Sequence, residues 1–176
     1  INFFELGMGS VNPNIKSNMG AHGIPGASLR AFAEYFPNAN IYGADIDKDI
    51  MFQTDRIKTF FCDQTSTEII NGMWNNIDCE FDVILDDGLH EADANINFFM
   101  NSFHKVKRGG LYIIEDICNK DVYPIEKVLR QTPCEFYALV HLPVDVDWYV
   151  QQDSKNFNGN SLRINVHDNT VAIIVK

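Results

Sequence analysis

Short apolar segments alternate along this chain with longer stretches in which apolar residues return every three or four positions. The short segments are rich in Ile, Val, Phe and Tyr, which is the composition of buried strands. They predict seven strands, at residues 3–6, 41–45, 57–62, 81–85, 111–114, 136–141 and 171–175.

The longer stretches predict helices between most of these strands. The first helix has Ser28 as its predicted N-cap, and its apolar face consists of Leu29, Phe32, Ala33 and Phe36. A weak helical pattern lies at 66–75, and another helix is predicted around 122–129. A further helix is predicted over 91–106, ended by Arg108-Gly109-Gly110, with an apolar face formed by Ile96, Phe99, Phe103 and Val106.

Alternation of strands and helices is typical of an α/β fold with a mostly parallel sheet of about seven strands and helices on both faces. The last two strands have no clear helix between them, so we expect an antiparallel C-terminal strand at the sheet edge. We expect one domain over residues 1–176. Because Ile1 already lies at a predicted strand, we also expect the natural chain to carry an N-terminal extension.

Charge and composition indicate what kind of partner to expect. The net charge of −10 argues against nucleic acid or an anionic membrane surface and favours a small molecule. The four cysteines form no CxxC pair, and no apolar run approaches the roughly 20 residues that cross a bilayer. We therefore expect reduced thiols in a cytoplasmic protein, and the sequence leaves open a homo-oligomer.

Polar and acidic residues follow the first five predicted strands. The strand ends read Glu5-Leu6-Gly7-Met8-Gly9-Ser10, Asp45-Ile46-Asp47, Asp63-Gln64, Asp86-Asp87-Gly88-Leu89-His90 and Glu115-Asp116. Asp and Gly also mark ordinary turns, which is the alternative interpretation. However, ligands of open α/β sheets bind outside the carboxyl ends of the strands, so five such ends together favour a ligand site.

Several of these residues suit a nucleoside-containing cofactor. Gly7 and Gly9 remove side chains where a ligand would approach the backbone, although such glycines also serve plain tight turns. Asp45 is the best candidate to accept the ribose hydroxyl hydrogens, with Asp47 in reserve or in a turn. Residues 63–64 could hydrogen-bond an adenine edge, or they could simply cap a helix.

The ends of the fourth and fifth strands suit a metal and a base. Asp87, Glu115 and Asp116 offer hard oxygen ligands, which favour magnesium or calcium over zinc. His90 follows Asp87 by three residues and is a candidate general base. The alternative for His90 is a helix-cap or surface histidine.

Residues 81–90 and 109–116, with Phe4-Glu5-Leu6-Gly7, resemble class I S-adenosylmethionine-dependent methyltransferases, and within them the metal-dependent sugar O-methyltransferases that modify macrolides. The resemblance implies S-adenosylmethionine and a divalent ion such as Mg²⁺ as cofactors. It implies Asp87, Glu115 and Asp116 as metal ligands and His90 as the group that takes the proton from the sugar hydroxyl. It also implicates Glu5, Gly7, Gly9 and Asp45 in holding the methionine and ribose parts.

The predicted reaction is therefore methyl transfer to a hydroxyl of a sugar or glycosylated small molecule, with His90 and Asp87 as catalytic residues. The predicted cofactor contacts are Glu5, Gly7, Gly9, Ser28, Asp45, Asp63, Gln64 and Asp86. Two other classes stay open. A nicotinamide-dependent oxidoreductase would lack its usual third glycine and leave the pair 115–116 unexplained. A non-catalytic cofactor- or metal-binding domain is the second.

Two segments depart from a minimal methyltransferase pattern. The first loop continues from Ser10 to Gly26 before its helix, and loops of this length tend to be functional or mobile, so it is expected near the cofactor or the acceptor. Residues 145–147, with Trp148 and Tyr149, are candidates for an acceptor site, although aromatic clusters more often serve packing.

Overall fold

The computed structural model describes residues 1–142 and 169–176. Its strands are β1 Asn2–Leu6, β2 Asn40–Asp45, β3 Ile57–Phe61, β4 Phe81–Asp86, β5 Val106–Ile117, β6 Phe136–His141 and β7 Thr170–Val175. Its helices are α1 Ala27–Tyr35, α2 Thr67–Trp74, α3 Ala92–Ser102 and α4 Asn119–Leu129. Every predicted strand and helix is therefore present, most with bounds shifted by a residue or two.

The seven strands form one sheet in the order β3-β2-β1-β4-β5-β7-β6. The pairs from β3 to β5 are parallel, and β7 runs antiparallel to both β5 and β6. The predicted α/β class with an antiparallel C-terminal strand is confirmed. That strand does not lie at the edge, because β7 inserts between β5 and β6 and leaves β6 outermost.

Helices cover both faces of the sheet, as predicted, and each face has its own apolar core. On one face Leu29 and Ala33 of α1 belong to the same buried cluster as Phe3 and Ile41. On the other face α2, α3 and α4 pack around an aromatic group in which Phe4 lies 4.7 Å from Trp74 between ring centroids. Within the described residues, no helix is both long and apolar enough to cross a bilayer.

Two predicted helix boundaries were wrong. Gly26, in the left-handed region with φ 69°, caps α1 in place of Ser28. At the other boundary α3 ends at Ser102, and Val106 opens β5. Val106 is fully buried and pairs with Phe81 of β4, so sheet pairing overrides the helical spacing of the sequence. Residues 108–110 consequently lie inside β5 and do not end a helix.

Candidate active site

The carboxyl ends of the central strands surround a cavity of about 380 Å³. This volume lies in the range typical of small-molecule sites. Residues from all five predicted strand ends line it, among them Gly7, Asp45, Asp63, Asp87, His90 and Asp116. Four of the described lining residues are aspartates, whereas two, Lys16 and His90, carry basic side chains, so the cavity has an acidic wall.

The two glycines of the first loop are required by the fold itself. Gly7 has φ 89°, and a Cβ there would lie 1.9 Å from the backbone oxygen of Asp87. Gly9 has φ 80°, and its Cβ would overlap the side chain of Met19. The space that each glycine leaves is thus filled by protein, which differs from the prediction that this space admits a ligand. Both residues still line the cavity.

Asp45 organises the turn in which these glycines lie. One of its carboxylate oxygens accepts a hydrogen bond from the backbone N–H of Met8 at 2.8 Å, and the other accepts from Asp47 at 2.9 Å. The backbone of Gly9 also donates to this carboxylate, which still lines the cavity with acceptor capacity left for a ribose hydroxyl. Asp47 is buried and accepts hydrogen bonds from Ser10 Oγ and the Asp49 N–H, which makes it a turn residue.

Glu5 lies beneath the first loop and is 2% exposed. Ser28 Oγ donates a hydrogen bond of 2.6 Å to its carboxylate. The Ser28 side chain therefore binds a buried acid from the first turn of α1, a position that the sequence assigned to a helix cap. Burial raises the pKa of Glu5 to about 7, against the opposing effect of the Ser28 hydrogen bond.

The raised pKa of Glu5 predicts a pH-dependent stability. In the unfolded chain this carboxyl ionises near its ordinary pKa of 4.5, so between pH 4.5 and 7 the folded state holds more protons. Folding stability should therefore fall across this interval, by up to about 3 kcal/mol for this group. Thermal unfolding without added metal should give a midpoint that decreases from pH 5 to pH 8. Glu5→Gln should flatten the decrease, whereas the exposed Glu34→Gln should not; a midpoint that rises with pH would contradict the prediction.

The adenine candidates 63–64 have different surroundings. Asp63 lines the cavity and accepts hydrogen bonds from the Thr65 N–H and hydroxyl, so part of its capacity serves the turn before α2. Gln64 is buried, and its amide binds the carboxylate of Asp86. Asp86 is fully buried and is not among the residues that line the cavity, so the structure gives it an internal role in place of the predicted cofactor contact.

Asp87, His90 and Asp116 bring one potential ligand atom each to within 4.8 Å of the others. The Asp87 Oδ1 atom lies 3.9 Å from His90 Nε2. His90 and Asp116 both have positive φ, 57° and 50°, and with Ser17 they are the non-glycine residues of the described chain in that region. Such backbone strain concentrates at functional sites, where the surrounding structure holds it in place.

Glu115 is not a member of this trio, although the sequence assigned it to the metal. It is half-buried, and burial together with Asp116 raises its pKa. Burial and the carboxylates of Glu115 and Asp116 raise the pKa of Asp87 to about 8. These raised values are those of an acidic cluster that a bound cation would relieve. The metal role of Glu115 stays a prediction.

The loop from Ser10 to Gly26 forms one wall of the cavity. Its backbone returns to the first loop through the Gly26 N–H, which donates to the Met8 oxygen at 2.7 Å. It also reaches the segment after β4, because Lys16 pairs with Glu91 at 3.0 Å and Ser17 Oγ donates to the Leu89 oxygen at 3.1 Å. The sequence predicted a site role for the loop but did not indicate Lys16 or Ser17. Neither residue type, nor its position in the loop, reveals such contacts in the sequence.

Asn95 is a second residue that the sequence did not indicate. It is 1% exposed on the buried face of α3, and its side-chain amide donates to Asp86 at 3.1 Å. A signal was present, because an asparagine on an apolar helix face needs a polar partner in the core. The acceptor-site candidates 145–149 lie outside the described residues.

The fold is that of Rossmann-like methyltransferases. The MycE methyltransferase from the mycinamycin biosynthetic pathway, in complex with Mg and SAH, aligns with a TM-score of 0.62 and 24% identity, over 99% of this chain and 44% of that one. A putative ribosomal RNA methyltransferase from Plasmodium falciparum also gives a TM-score of 0.62, at 12% identity, over 99% of this chain and 85% of that one.

The relatives found by sequence similarity are all named as O-methyltransferases. The chain is 36% identical over 92 residues to mycinamicin VI 2''-O-methyltransferase of Micromonospora griseorubida, over 52% of this chain and 23% of the relative. It is 30% identical over 92 residues to 8-demethyl-8-alpha-L-rhamnosyl tetracenomycin-C 2'-O-methyltransferase of Streptomyces olivaceus, over 52% of this chain and 24% of the relative. No family model matches. The predicted resemblance to sugar O-methyltransferases is confirmed, and the matched region spans about a quarter of these relatives.

Proposed function

We propose that the chain is an S-adenosylmethionine-binding domain, over residues 1–176, that transfers a methyl group to a hydroxyl of a sugar or glycosylated small molecule. The observation that carries the proposal is the trio of Asp87, His90 and Asp116 beside the glycine loop of a methyltransferase fold. The sequence relatives, which are named as O-methyltransferases of glycosylated compounds, support the same reaction class and acceptor.

The trio fits a divalent ion. Its two carboxylates, Asp87 and Asp116, offer the oxygen ligands that Mg²⁺ or Mn²⁺ prefers, and the acidic surroundings favour positive charge. The Nδ1 atom of His90 is buried, and among the described residues it has no hydrogen-bond partner. When bound, the ion would hold acceptor oxygens and lower the pKa of the reacting hydroxyl. MycE, in the solved complex, contains Mg.

The chain's own residues would then position the acceptor hydroxyl and take its proton. The reacting hydroxyl oxygen forms a bond to the methyl carbon, the bond between that carbon and the sulfonium sulfur breaks, and the hydroxyl proton goes to an imidazole nitrogen of His90. The Asp87 Oδ1 atom lies 3.9 Å from His90 Nε2, so both side chains face the same part of the cavity. The main requirement for this transfer is that the site holds the acceptor oxygen, the methyl carbon and the sulfur in line.

The cofactor would occupy the cavity between the first loop and the end of β3. The cationic sulfonium and ammonium groups suit the acidic wall that Asp45, Asp87 and Asp116 give the cavity. Asp45 would accept from the ribose hydroxyls with its remaining lone pairs, and Asp63 is placed for the adenine edge. Reduced cysteines and a soluble cofactor are consistent with a cytoplasmic reaction, which we propose as its location.

Two titrations test the proposal. Calorimetry should show binding of S-adenosylhomocysteine and no binding of NAD, because the site has the glycine loop and acidic wall of a methyltransferase. Methyl transfer to glycosides should stop after exhaustive EDTA treatment and return on addition of Mg²⁺. Binding of NAD alone would support the oxidoreductase alternative, which none of the relatives described above favours. Full activity after EDTA would exclude the metal from the reaction.

A further inference from the structure

The segment that joins β4 to α3 carries Asp87 and His90, and buried side chains hold it from behind. At its start lies Asp86, whose carboxylate is completely buried and, within the described part of the chain, accepts no hydrogen bond from a Lys or Arg side chain. Neutral amides surround it instead. Gln64 Nε2 donates to its two oxygens at 2.8 and 2.9 Å, and Asn95 Nδ2 donates at 3.1 Å.

Gln64 also binds the far side of the same segment. Its Oε1 atom accepts a hydrogen bond of 2.8 Å from the backbone N–H of Leu89. The single amide of Gln64 thus contacts the chain both before and after Asp87 and Gly88. The fit is close, because a Cβ added to Gly88 would lie 2.4 Å from Gln64 Oε1. Gln64 therefore holds the backbone on both sides of Asp87, in addition to the hydrogen bond of 2.9 Å that the Asp87 N–H donates to the Leu6 oxygen.

Gln64 is itself fixed by α3. Its backbone oxygen accepts a hydrogen bond of 2.9 Å from Asn97 Nδ2, while Asn95, two residues earlier, reaches Asp86. These hydrogen bonds form a closed frame. It connects Asp86 at the end of β4 with α3, α3 with Gln64 after β3, and Gln64 with Asp86 again. Buried polar networks whose members are all paired are rigid, because any displacement leaves an unpaired group in the core.

We infer that Gln64 is a positioning residue for the metal trio, acting through Asp86 and the Leu89 N–H to fix Asp87 and His90. The inference rests on the proposed function, because it assumes that the trio binds a cation. It extends that function in one respect. Gln64 also lines the cavity on the side proposed for adenine, so the same side chain borders the cofactor and supports the metal ligands.

Exchanging the hydrogen-bond donor and acceptor between Gln64 and Asp86 tests this role. Gln64→Glu sets a second carboxylate against Asp86, so the contact becomes repulsive while the size of the side chain is kept. Gln64→Glu combined with Asp86→Asn restores a donor–acceptor pair with the original total charge. The control is Asn101→Ala, which removes an α3 amide that bonds only to Asn97 in the described structure.

The first measurement uses the protein without metal or cofactor. Amide hydrogen exchange of Leu89, followed by NMR, should accelerate at least about tenfold in Gln64→Glu, because repulsion from Asp86 displaces the carboxylate from the Leu89 N–H. The second measurement is the Mn²⁺ affinity in the presence of S-adenosylhomocysteine, by electron paramagnetic resonance. Loss of such supporting contacts typically weakens metal binding by about 10- to 100-fold. The exchanged pair should recover both values, and Asn101→Ala should change neither.

Unchanged Leu89 exchange in Gln64→Glu would overturn the positioning role, as would faster exchange with an unaltered Mn²⁺ affinity. Failure of the exchanged pair to recover, with circular dichroism showing a folded protein, would also count against it. If the wild-type protein bound no Mn²⁺, the metal part of the proposed function would fail. The Leu89 measurement, made without metal, would then decide by itself whether Gln64 fixes the segment.

Discussion

Replacement of His90 by alanine is expected to lower methyl transfer by about 10²- to 10⁴-fold, the usual contribution of a general base. The affinity for S-adenosylhomocysteine should stay close to that of the wild type, because the bulk of the cofactor cavity comes from other residues. Single-turnover rates with a glycoside that the wild-type protein methylates, and calorimetry with S-adenosylhomocysteine, measure the two quantities.

His90→Gln separates proton transfer from metal binding and packing. Glutamine keeps a polar side chain of similar reach but accepts no proton near neutral pH, so its rate should fall as far as that of the alanine variant. His104→Ala is the matched control, since this exposed histidine lies outside the cavity. A His90→Gln enzyme with nearly full activity would remove His90 from the role of base.

Gly7→Ala is expected to cause a large loss of stability. Two costs add at this position. A left-handed backbone costs an L-residue about 1–2 kcal/mol, and overpacking costs about 1–3 kcal/mol more. The added Cβ would meet backbone atoms of Asp87, at 1.9 Å from the oxygen, which cannot move aside as a side chain would. The total is a large share of the roughly 5–15 kcal/mol that stabilises a typical domain.

Gly109→Ala is the matched control for this variant. Gly109 also has a positive φ, 74°, but a Cβ there would meet no atom within 4 Å. It should therefore incur only the backbone cost. Urea denaturation followed by circular dichroism compares the two. The larger loss should belong to Gly7→Ala, and this variant should also bind S-adenosylhomocysteine less tightly because the first loop and Asp87 must separate. Equal losses in the two variants would contradict the close contact between Gly7 and the Asp87 backbone.

The sequence was sufficient to predict the elements and the class of the fold, because strand and helix periods are local properties. It failed where a distant partner decides the outcome. Val106 continues the helical spacing of α3, yet pairing with Phe81 makes it the first residue of β5. The position of β7 between β5 and β6 likewise depends on which strand edge is open, and hydrophobic patterning carries no information about that choice.

The candidate site was predictable in its location but not in its detailed contacts. Strand ends of a parallel sheet must meet, so Asp45, Asp87 and Asp116 could be grouped from the sequence alone. Asp86 and Asp87 are adjacent and chemically identical, and only the structure shows that one is buried and the other lines the cavity. The Gln64 frame could not be predicted, since side-chain amides form hydrogen bonds in almost any direction.

The place of β1 between β2 and β4 also bears on how the protein is made. During synthesis β1 leaves the ribosome before β4, so it obtains its second neighbour only after β4 has emerged. The twelve-residue β5 waits longer still, because the partner on its other side is β7, which follows β6 in the chain. Until then its backbone is an open template for pairing with other chains. A nascent chain that stalls before residue 170 would therefore be the form most dependent on chaperones.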